Sequence, residues 1–349
     1  QDLMPTGCSW KRLCLPGQER KMESAENIDS FGRAHTYVRV SVTAKCNLSC
    51  RYCAPGAQPS PCPVKKGGGG EISLPEMLEF IRALGAIGVE KVRFTGGEPL
   101  VRPDIEQLIA GARAIPAIKK VCLTTNGVLL AGKAAVLKDA GLDALNVSLD
   151  SLDRSRFERI TGSDGLAGVR AGIDRALSLG FKPKINAVAL ADLSYEEIDA
   201  FVKFASENRL TVRFIELMPF CDDDFAQTAF APISRLENYL AQKYSAGLPE
   251  ADGVARNYKI NGGKIGFISA LSHPFCGSCD RLRLSSRGVL YRCLFDSTGL
   301  DVKTLRDESA GNLPEQIRKF LAGKKEFHML GRSPADLKRV KNSMRLIGG

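Results

Sequence analysis

Cys46, Cys50 and Cys53 form a C-x3-C-x2-C triplet among Lys45, Asn47, Ser49 and Arg51, directly after the apolar run from Tyr37 to Val42. Three thiolates can hold three corners of a four-iron, four-sulfur cube. Such cubes are usually closed by four cysteines, so a triplet leaves one iron without a protein ligand. An open iron can bind a small molecule and pass it an electron directly. Zinc is the competing reading: it takes four ligands, commonly as paired C-x2-C half-sites, and Cys50/Cys53 could pair with Cys276/Cys279. That pairing leaves Cys46 and Cys293 unused, although both belong to compact triplets. Free cysteine is also a frequent core residue, but three within eight positions on a polar loop suit a core poorly.

Cys276, Cys279 and Cys293 form the second triplet, C-x2-C-x13-C. A hairpin of Leu282–Leu284 and Val289–Tyr291 around Arg287-Gly288 folds Cys293 back toward the C-x2-C turn. Three thiolates again imply a cluster with an open iron; the zinc alternative is a ribbon completed by His273. Arg281 and Arg283 lie between these cysteines as alternate residues of a strand, hence on one face. Two guanidinium forks beside an open iron suit a polyphosphate ligand.

These groups need a scaffold, and from Tyr37 onward strand and helix patterns alternate, the signature of a parallel sheet wrapped by helices. Strands are predicted at Val38–Thr43, Val92–Thr95, Val121–Thr125, Ala144–Leu149, Lys184–Leu190 and Val212–Leu217. Leu74, Met77, Leu78, Ile81 and Leu84 repeat at helical spacing behind the capping box Ser73-x-x-Glu76. Ile198, Phe201, Val202 and Ala205 repeat likewise behind Ser194-x-x-Glu197, and Leu166, Val169, Ile173 and Leu177 give a third stripe. Six such units predict an open α/β barrel.

Ligands gather at the C-terminal ends of parallel strands. Those ends carry the cysteine loop, Thr95-Gly96-Gly97-Glu98-Pro99, Thr124-Thr125-Asn126-Gly127, Ser148-Leu149-Asp150, and Glu216 with Met218. Turn glycines and polar caps can be structural, but five such ends and a cluster loop on one rim point to a ligand site.

The Pro- and Gly-rich stretch Ala54 to Gly70 reads as a loop, with Cys62 exposed and unligated. The alternation stops near Cys221-Asp222-Asp223-Asp224, and short β patterns follow at Tyr258–Ile260 and Ile265–Ile268. The predicted division is an extension over 1–27, a partial barrel over 28–230 and a smaller C-terminal α+β domain over 231–349. Met22 could begin the fold's own sequence, which would leave Cys8 and Cys14 incidental.

The length of 349 residues suggests about two domains, and 44% hydrophobic residues suffice for a core. No stretch approaches the roughly 20 apolar residues of a membrane span, and no secretory leader is evident. Eleven cysteines fit metal ligation in a reducing compartment better than a disulfide framework. The expectation is a soluble, cytoplasmic protein that engages no membrane. The net charge of +10 asks for an anionic partner. Nucleic acid is disfavoured, since aromatics make up only 7% and the basic residues are spread out.

The stretch Asp29-Ser30-Phe31-Gly32-Arg33 through Arg39-Val40-Ser41-Val42-Thr43 into Cys46-x3-Cys50-x-Tyr52-Cys53 resembles the radical S-adenosylmethionine (SAM) superfamily. Within it, the chain is similar to the GTP 3′,8-cyclase family of molybdenum-cofactor biosynthesis. Phe94-Thr95-Gly96-Gly97-Glu98-Pro99-Leu100 resembles that family's SAM-binding motif, and Phe275-Cys276-Gly277-Ser278-Cys279-Asp280-Arg281-Leu282-Arg283 its C-terminal cluster motif. Ile347-Gly348-Gly349 resembles its double-glycine tail. The likeness runs from about residue 28 to the end.

The resemblance implies a lyase with two 4Fe-4S clusters, ligated by Cys46, Cys50 and Cys53 and by Cys276, Cys279 and Cys293. It implies SAM chelated at the first cluster, beside Tyr52, Gly97, Ser148 and Met218, with glycine at Gly97 leaving room for the methionine moiety. A 5′-deoxyadenosyl radical would take hydrogen from ribose carbon 3′ of GTP, and the carbon radical would attack guanine carbon 8. The product is (8S)-3′,8-cyclo-7,8-dihydroguanosine 5′-triphosphate, the first step of the cofactor pathway. Arg39, Arg93, Thr124, Lys184, Arg281, Leu282 and Arg283 match positions lining the GTP site, and Arg213 sits on an equivalent strand. For Arg39 and Lys184 the alternative is an ion pair across the barrel mouth. Arg281, Arg283, Gly348 and Gly349 are the implied catalytic set, the tail entering the active site. Implied partners are an electron-donor protein and a downstream cyclic pyranopterin monophosphate synthase; a homodimer is compatible.

The chain departs from the family pattern at Ala54-Pro55, where Met-Pro is usual, at Asp280, where Asn is usual, and in the loop Gly56 to Gly70. Asp280 adds negative charge near the expected pocket, and no departure removes a cluster ligand. Two rivals remain. A peptide-modifying radical SAM enzyme usually carries longer cysteine arrays, and a plain electron carrier has no need of Gly96-Gly97-Glu98.

Overall fold

The computed structural model describes residues 27–53, 70–218, 220, 224–308, 312–327 and 344–349. The expected extension up to residue 26 with Cys8, Cys14 and Met22, the stretch 54–69 with Ala54 and Cys62, and residues 221–223 lie outside the described residues.

The strands are β1 (Tyr37–Ser41), β2 (Lys91–Thr95), β3 (Lys120–Thr125), β4 (Ala144–Ser148), β5 (Lys184–Ala189) and β6 (Thr211–Glu216), then β7 (Glu250–Asp252), β8 (Ala255–Ile260), β9 (Gly263–Ile268), β10 (Arg281–Leu284), β11 (Val289–Tyr291) and β12 (Leu300–Asp301). The helices are α1 (Leu74–Ala86), α2 (Ile105–Arg113), α3 (Leu130–Asp139), α4 (Arg154–Thr161), α5 (Leu166–Ser178) and α6 (Tyr195–Asn208), then α7 (Asp224–Ala229), α8 (Ser234–Tyr244), α9 (Val302–Glu308), α10 (Leu313–Ala322) and α11 (Met344–Ile347). The twelve strands form one sheet in the order β12-β11-β10-β1-β2-β3-β4-β5-β6-β9-β8-β7. β1 to β6 pair in parallel, each joined to the next through helix, as the alternating pattern predicts. The C-terminal strands join the same sheet, β7–β9 extending it beyond β6 and β10–β12 beyond β1.

Strand periodicity sorts the two faces. Val38, Val40, Val92, Phe94, Val121, Leu123, Leu145, Val147, Ile185, Val212 and Phe214 are fully or almost fully buried in the main core, with Met77, Phe80, Ile81, Leu84, Leu108 and Ile109 of the helices. Each such side chain contributes about 1.5–3 kcal/mol relative to exposure. The intervening residues form the inner face and, apart from Cys122, Val188 and Ile215, are mostly polar, among them Tyr37, Arg39, Ser41, Arg93, Thr95, Thr124, Asn146, Ser148, Lys184, Asn186, Arg213, Arg281 and Arg283. Both sequence-predicted capping boxes form, Ser73 with Glu76 ahead of α1 and Ser194 with Glu197 ahead of α6. Because α6 buries Ile198, Phe201, Val202 and Ala205, Ser194→Ala is expected to cost about 1 kcal/mol. The measurement is a lower urea midpoint at unchanged slope. Among the described residues, no helix is long and apolar enough to cross a membrane.

Candidate active site

Strand direction sets the two triplets at opposite ends of the inner face. Cys46, Cys50 and Cys53 follow the C-terminal end of β1. β10 runs parallel to β1 with Arg281 opposite Tyr37, so Cys276 and Cys279 precede it at the N-terminal end. β11 returns antiparallel with Tyr291 opposite Arg283, which carries Cys293 back to that same end. Arg39, Arg93 and Arg283 share one register level in mid-strand, and Lys184 opens β5. The cations lie between the rims because β10 enters the sheet in parallel, a pairing that cysteine spacing does not encode.

At the first rim, the Ser49 and Arg51 amides donate to the Thr161 and Ile160 carbonyls at 2.8 and 3.0 Å, fastening the cysteine loop to the end of α4. The Gly97 and Glu98 amides donate to the Thr43 and Lys45 carbonyls at 2.7 and 2.8 Å. A Cβ on Gly97 would stand 2.2 Å from the Lys45 carbonyl oxygen. Glycine is thus required at this position by close packing on the cysteine loop. Gly96, at φ +147°, brings a Cβ position to within 2.4 Å of the Thr43 oxygen.

The buried Glu98 carboxylate accepts from the Leu100 amide (2.9 Å), the Thr125 hydroxyl (2.7 Å) and the Asn126 amide (2.7 Å). Burial pushes its carboxyl up to about 7, against the pull of those bonds. Tyr52 donates to Asp150 at 2.6 Å, and Asp150 accepts the Val188 amide at 2.8 Å, tying the cysteine loop to β4 and β5. Ser148 is half-buried at the end of β4, and Met218 packs beside Phe220, Leu271 and Ile347.

Burial raises the Cys46, Cys50 and Cys53 thiols, Cys53 to about 11, and it raises Cys293 at the other rim. Among the described residues, no three Cys, His, Asp or Glu side chains stand where one metal ion could be held. A structural zinc site takes four ligands, whereas each rim supplies three thiols. The donor sets, three thiols on one loop and three on a turn and hairpin, fit 4Fe-4S clusters better than zinc.

Between the rims the inner face is cationic. Arg39 lies between Arg283 and Arg93. Arg93 donates to the Tyr37 hydroxyl (2.8 Å), the Leu123 carbonyl (2.9 Å) and Thr124 (3.4 Å). Arg281 lies over the Phe275 ring at 5.1 Å. Burial lowers Arg39 to about 10, with repulsion from Arg93 and Arg281 adding to it, and Arg283 is lowered by burial and by Arg39 and Arg281. Among the described residues, none of Arg39, Arg93, Arg281 and Arg283 pairs with an Asp or Glu side chain. Lys184 behaves otherwise: it pairs with Asp252 at 2.6 Å, and Arg213 shares that carboxylate. Its ion-pair reading is realised, with a partner on β7 that sequence reasoning missed. The Leu282 side chain is fully buried in the apolar core. This corrects any side-chain role at the site, because strand alternation turns it away from Arg281 and Arg283.

The Gly348-Gly349 segment enters this cationic region. Arg39 donates to the Gly349 carbonyl, Arg283 to the Gly348 carbonyl, and Thr95 to Gly349 at 3.2 Å. Gly348 has φ +76°, and a Cβ there would stand 2.3 Å from Thr95 Cγ2. Arg345, missed in the sequence, donates to the Leu48 carbonyl at 2.8 Å, and its charge pulls the Cys53 thiol down against burial, linking the tail to the first rim. Its only signal was a cation four residues ahead of Gly349.

Residues 40–205 match the Radical SAM superfamily, and residues 210–330 match Molybdenum Cofactor Synthesis C. The chain is 39% identical over 332 residues to the GTP 3′,8-cyclase of Geobacter sulfurreducens, covering 93% of this chain and 100% of that protein. It is 38% identical over 308 residues to Molybdenum cofactor biosynthesis protein 1 of Drosophila melanogaster, covering 86% of this chain. The chain spans about half the length of that protein, 54%. The fold resembles SuiB of Streptococcus suis bound to S-adenosylmethionine, with a TM-score of 0.58 and 17% identity over 82% of this chain and 68% of that one.

Proposed function

The chain belongs to the GTP 3′,8-cyclase family within the Radical SAM superfamily, and we propose that it joins ribose carbon 3′ of GTP to guanine carbon 8, opening molybdenum-cofactor biosynthesis. The observation that carries this reading is the set of guanidiniums, buried at Arg93 and Arg283 and half-buried at Arg39 and Arg281, lying between two cysteine triplets without an Asp or Glu partner among the described residues. Buried charges ordinarily need pairing, and a triphosphate would supply it.

The family's cofactors are two 4Fe-4S clusters and SAM, which when bound supply reductive cleavage of a sulfonium and hydrogen abstraction from the ribose. Cys46, Cys50 and Cys53 would hold the first cluster, and Cys276, Cys279 and Cys293 the second. Tyr52, Gly97, Ser148 and Met218 line the SAM side of this reading. Gly97 acts by letting its backbone pack on the cysteine loop, and Tyr52 through its bond to Asp150. Arg39, Arg93, Thr124, Arg281 and Arg283 would receive the nucleotide. Lys184 joins them by exchanging Asp252 for phosphate, and Leu282 only through its backbone. Gly348 and Gly349 bring carbonyl oxygens to Arg39 and Arg283 and help keep water out of the region where the radical reacts. A cytoplasmic setting, an electron-donor protein, a downstream cyclic pyranopterin monophosphate synthase and a homodimer belong to the same proposal.

The test is exchange of Arg281 or Arg283 for Ala. Loss of a desolvated, charge-assisted contact should cost about 2–5 kcal/mol in substrate interaction, against about 0–1 kcal/mol for a solvated surface pair. Iron content should be unchanged. Cyclisation of GTP at the parental rate by both variants would reject these arginines as the nucleotide's receptor, and a parent protein that cleaves SAM but does not cyclise GTP would reject GTP as the substrate.

A further inference from the structure

A buried polar bracket behind the second triplet has no part in the chemistry above. Asp29, Arg33, His35 and Lys324 are each less than 9% exposed. Arg33 bonds Asp29 through Nε at 2.7 Å, and its remaining nitrogens donate to the carbonyls of Cys276 (2.7 Å), Glu326 (2.8 Å) and Lys325 (2.7 Å). His35 Nε2 meets the same Asp29 carboxylate at 3.0 Å. On the other side of the ring, Lys324 Nζ lies 3.4 Å from Nδ1. Lys324 also donates to the Cys279 carbonyl (3.2 Å) and the Arg281 carbonyl (2.9 Å), and stands 3.9 Å from Cys279 Sγ.

Three acceptors around Nζ match the three donors of an ammonium. Nε2 of His35 then donates to Asp29 while Nδ1 accepts from Lys324, so the ring is neutral and passes the anchoring of Asp29 to Lys324. Burial holding His35 down to about 4 agrees with that state. The chain Asp29–His35–Lys324 therefore ends in a cation aimed at a thiol of the second triplet. The first triplet is arranged differently: its cation, Arg345, comes from the tail.

We propose that Lys324 is a positioning residue for the second triplet: anchored by Asp29 through His35, it holds a positive charge against Cys279 and raises the reduction potential of the cluster bound there. The inference rests on the reading that this triplet holds an iron–sulfur cluster. Cluster potentials depend on net charge and on hydrogen bonds to the sulfurs. A cation 3.9 Å from a ligating sulfur in a buried site stabilises the reduced, more negative state. The bracket also assigns work to the Asp29-to-Arg33 motif, whose Arg33 side chain clamps the turn that carries Cys276.

The test uses the full chain with Cys46, Cys50 and Cys53 exchanged for Ala, so that only the second cluster is observed. Lys324→Met and Lys324→Arg are made in that background. The readouts are iron content and the midpoint potential from titration followed by electron paramagnetic resonance. At a fixed applied potential, Lys324→Met should lower the reduced-to-oxidised ratio at least tenfold, a negative shift of about 59 mV for one electron. Lys324→Arg should restore most of it. An unchanged or more positive potential in Lys324→Met with the cluster retained overturns the proposal, as does an equal shift in both variants. If Lys324→Met cannot keep the cluster, Lys324→Arg decides: retention near the parental potential supports the proposal, and loss there too overturns it. Absence of iron from the parent background would instead refute the cluster reading itself.

Discussion

Exchange of Cys276, Cys279 or Cys293 for Ala should stop GTP cyclisation yet leave part of the SAM cleavage, whereas exchange of Cys46, Cys50 or Cys53 should abolish cleavage altogether. This asymmetry is expected because the triplets occupy opposite ends of the sheet's inner face, with the arginine region between them. The first rim is fastened by Glu98, Gly97 and the end of α4, none of which contacts the second triplet. Losing the second cluster therefore leaves the first cysteine loop in place. Anaerobic reconstitution should give about eight irons in the parent and about four in either set of variants, the sum and the half of two cubes. Zinc near one per chain with no iron would remove the basis of the whole functional reading. Equal loss of cleavage in both sets would show that the rims act as one unit.

Deletion of Gly348 and Gly349 should give an enzyme with normal iron content and normal SAM cleavage that no longer cyclises GTP. The structural grounds are two charge-assisted bonds, from Arg39 to the Gly349 carbonyl and from Arg283 to the Gly348 carbonyl. Hydrogen bonds to charged groups are worth about 1.5–3 kcal/mol each, so a loss of more than about a hundredfold in turnover is expected. Gly348→Val should approach the deletion. Its Cβ would stand 2.3 Å from Thr95 Cγ2, and φ +76° is strained for a β-branched residue. Parental turnover in both variants would show the double glycine to be passive filling. Lost iron would show a structural role instead.

Much of the scaffold was legible because its rules are local. Six strands appear within a residue or two of their expected positions, and both capping boxes close. Both depend on contacts a few residues apart. The C-terminal hairpin, too, follows from alternation and the turn at Gly288, whose φ is +80°. The site was legible in its residue types and less so in their partners. Lys184 read as a residue of the nucleotide site with an ion pair as the alternative, and only the approach of β7 supplies Asp252. Gly97 was noted as a glycine that matters, but the atom it avoids belongs to Lys45, across the loop packing.

By itself the sequence determined the repeating β/α scaffold, the two thiol triplets and the common face of Arg281 and Arg283, because backbone periodicity and residue chemistry suffice for each. The tertiary structure alone decided that the triplets face each other across the sheet, that Leu282 belongs to the core, and that Lys324 reaches Cys279. These outcomes depend on strand direction and on contacts between distant segments, such as Arg39 with Gly349, 310 residues apart, and His35 with Lys324, 289 apart. Closing such loops is favoured only when many contacts form together, so no short stretch of sequence carries their signature.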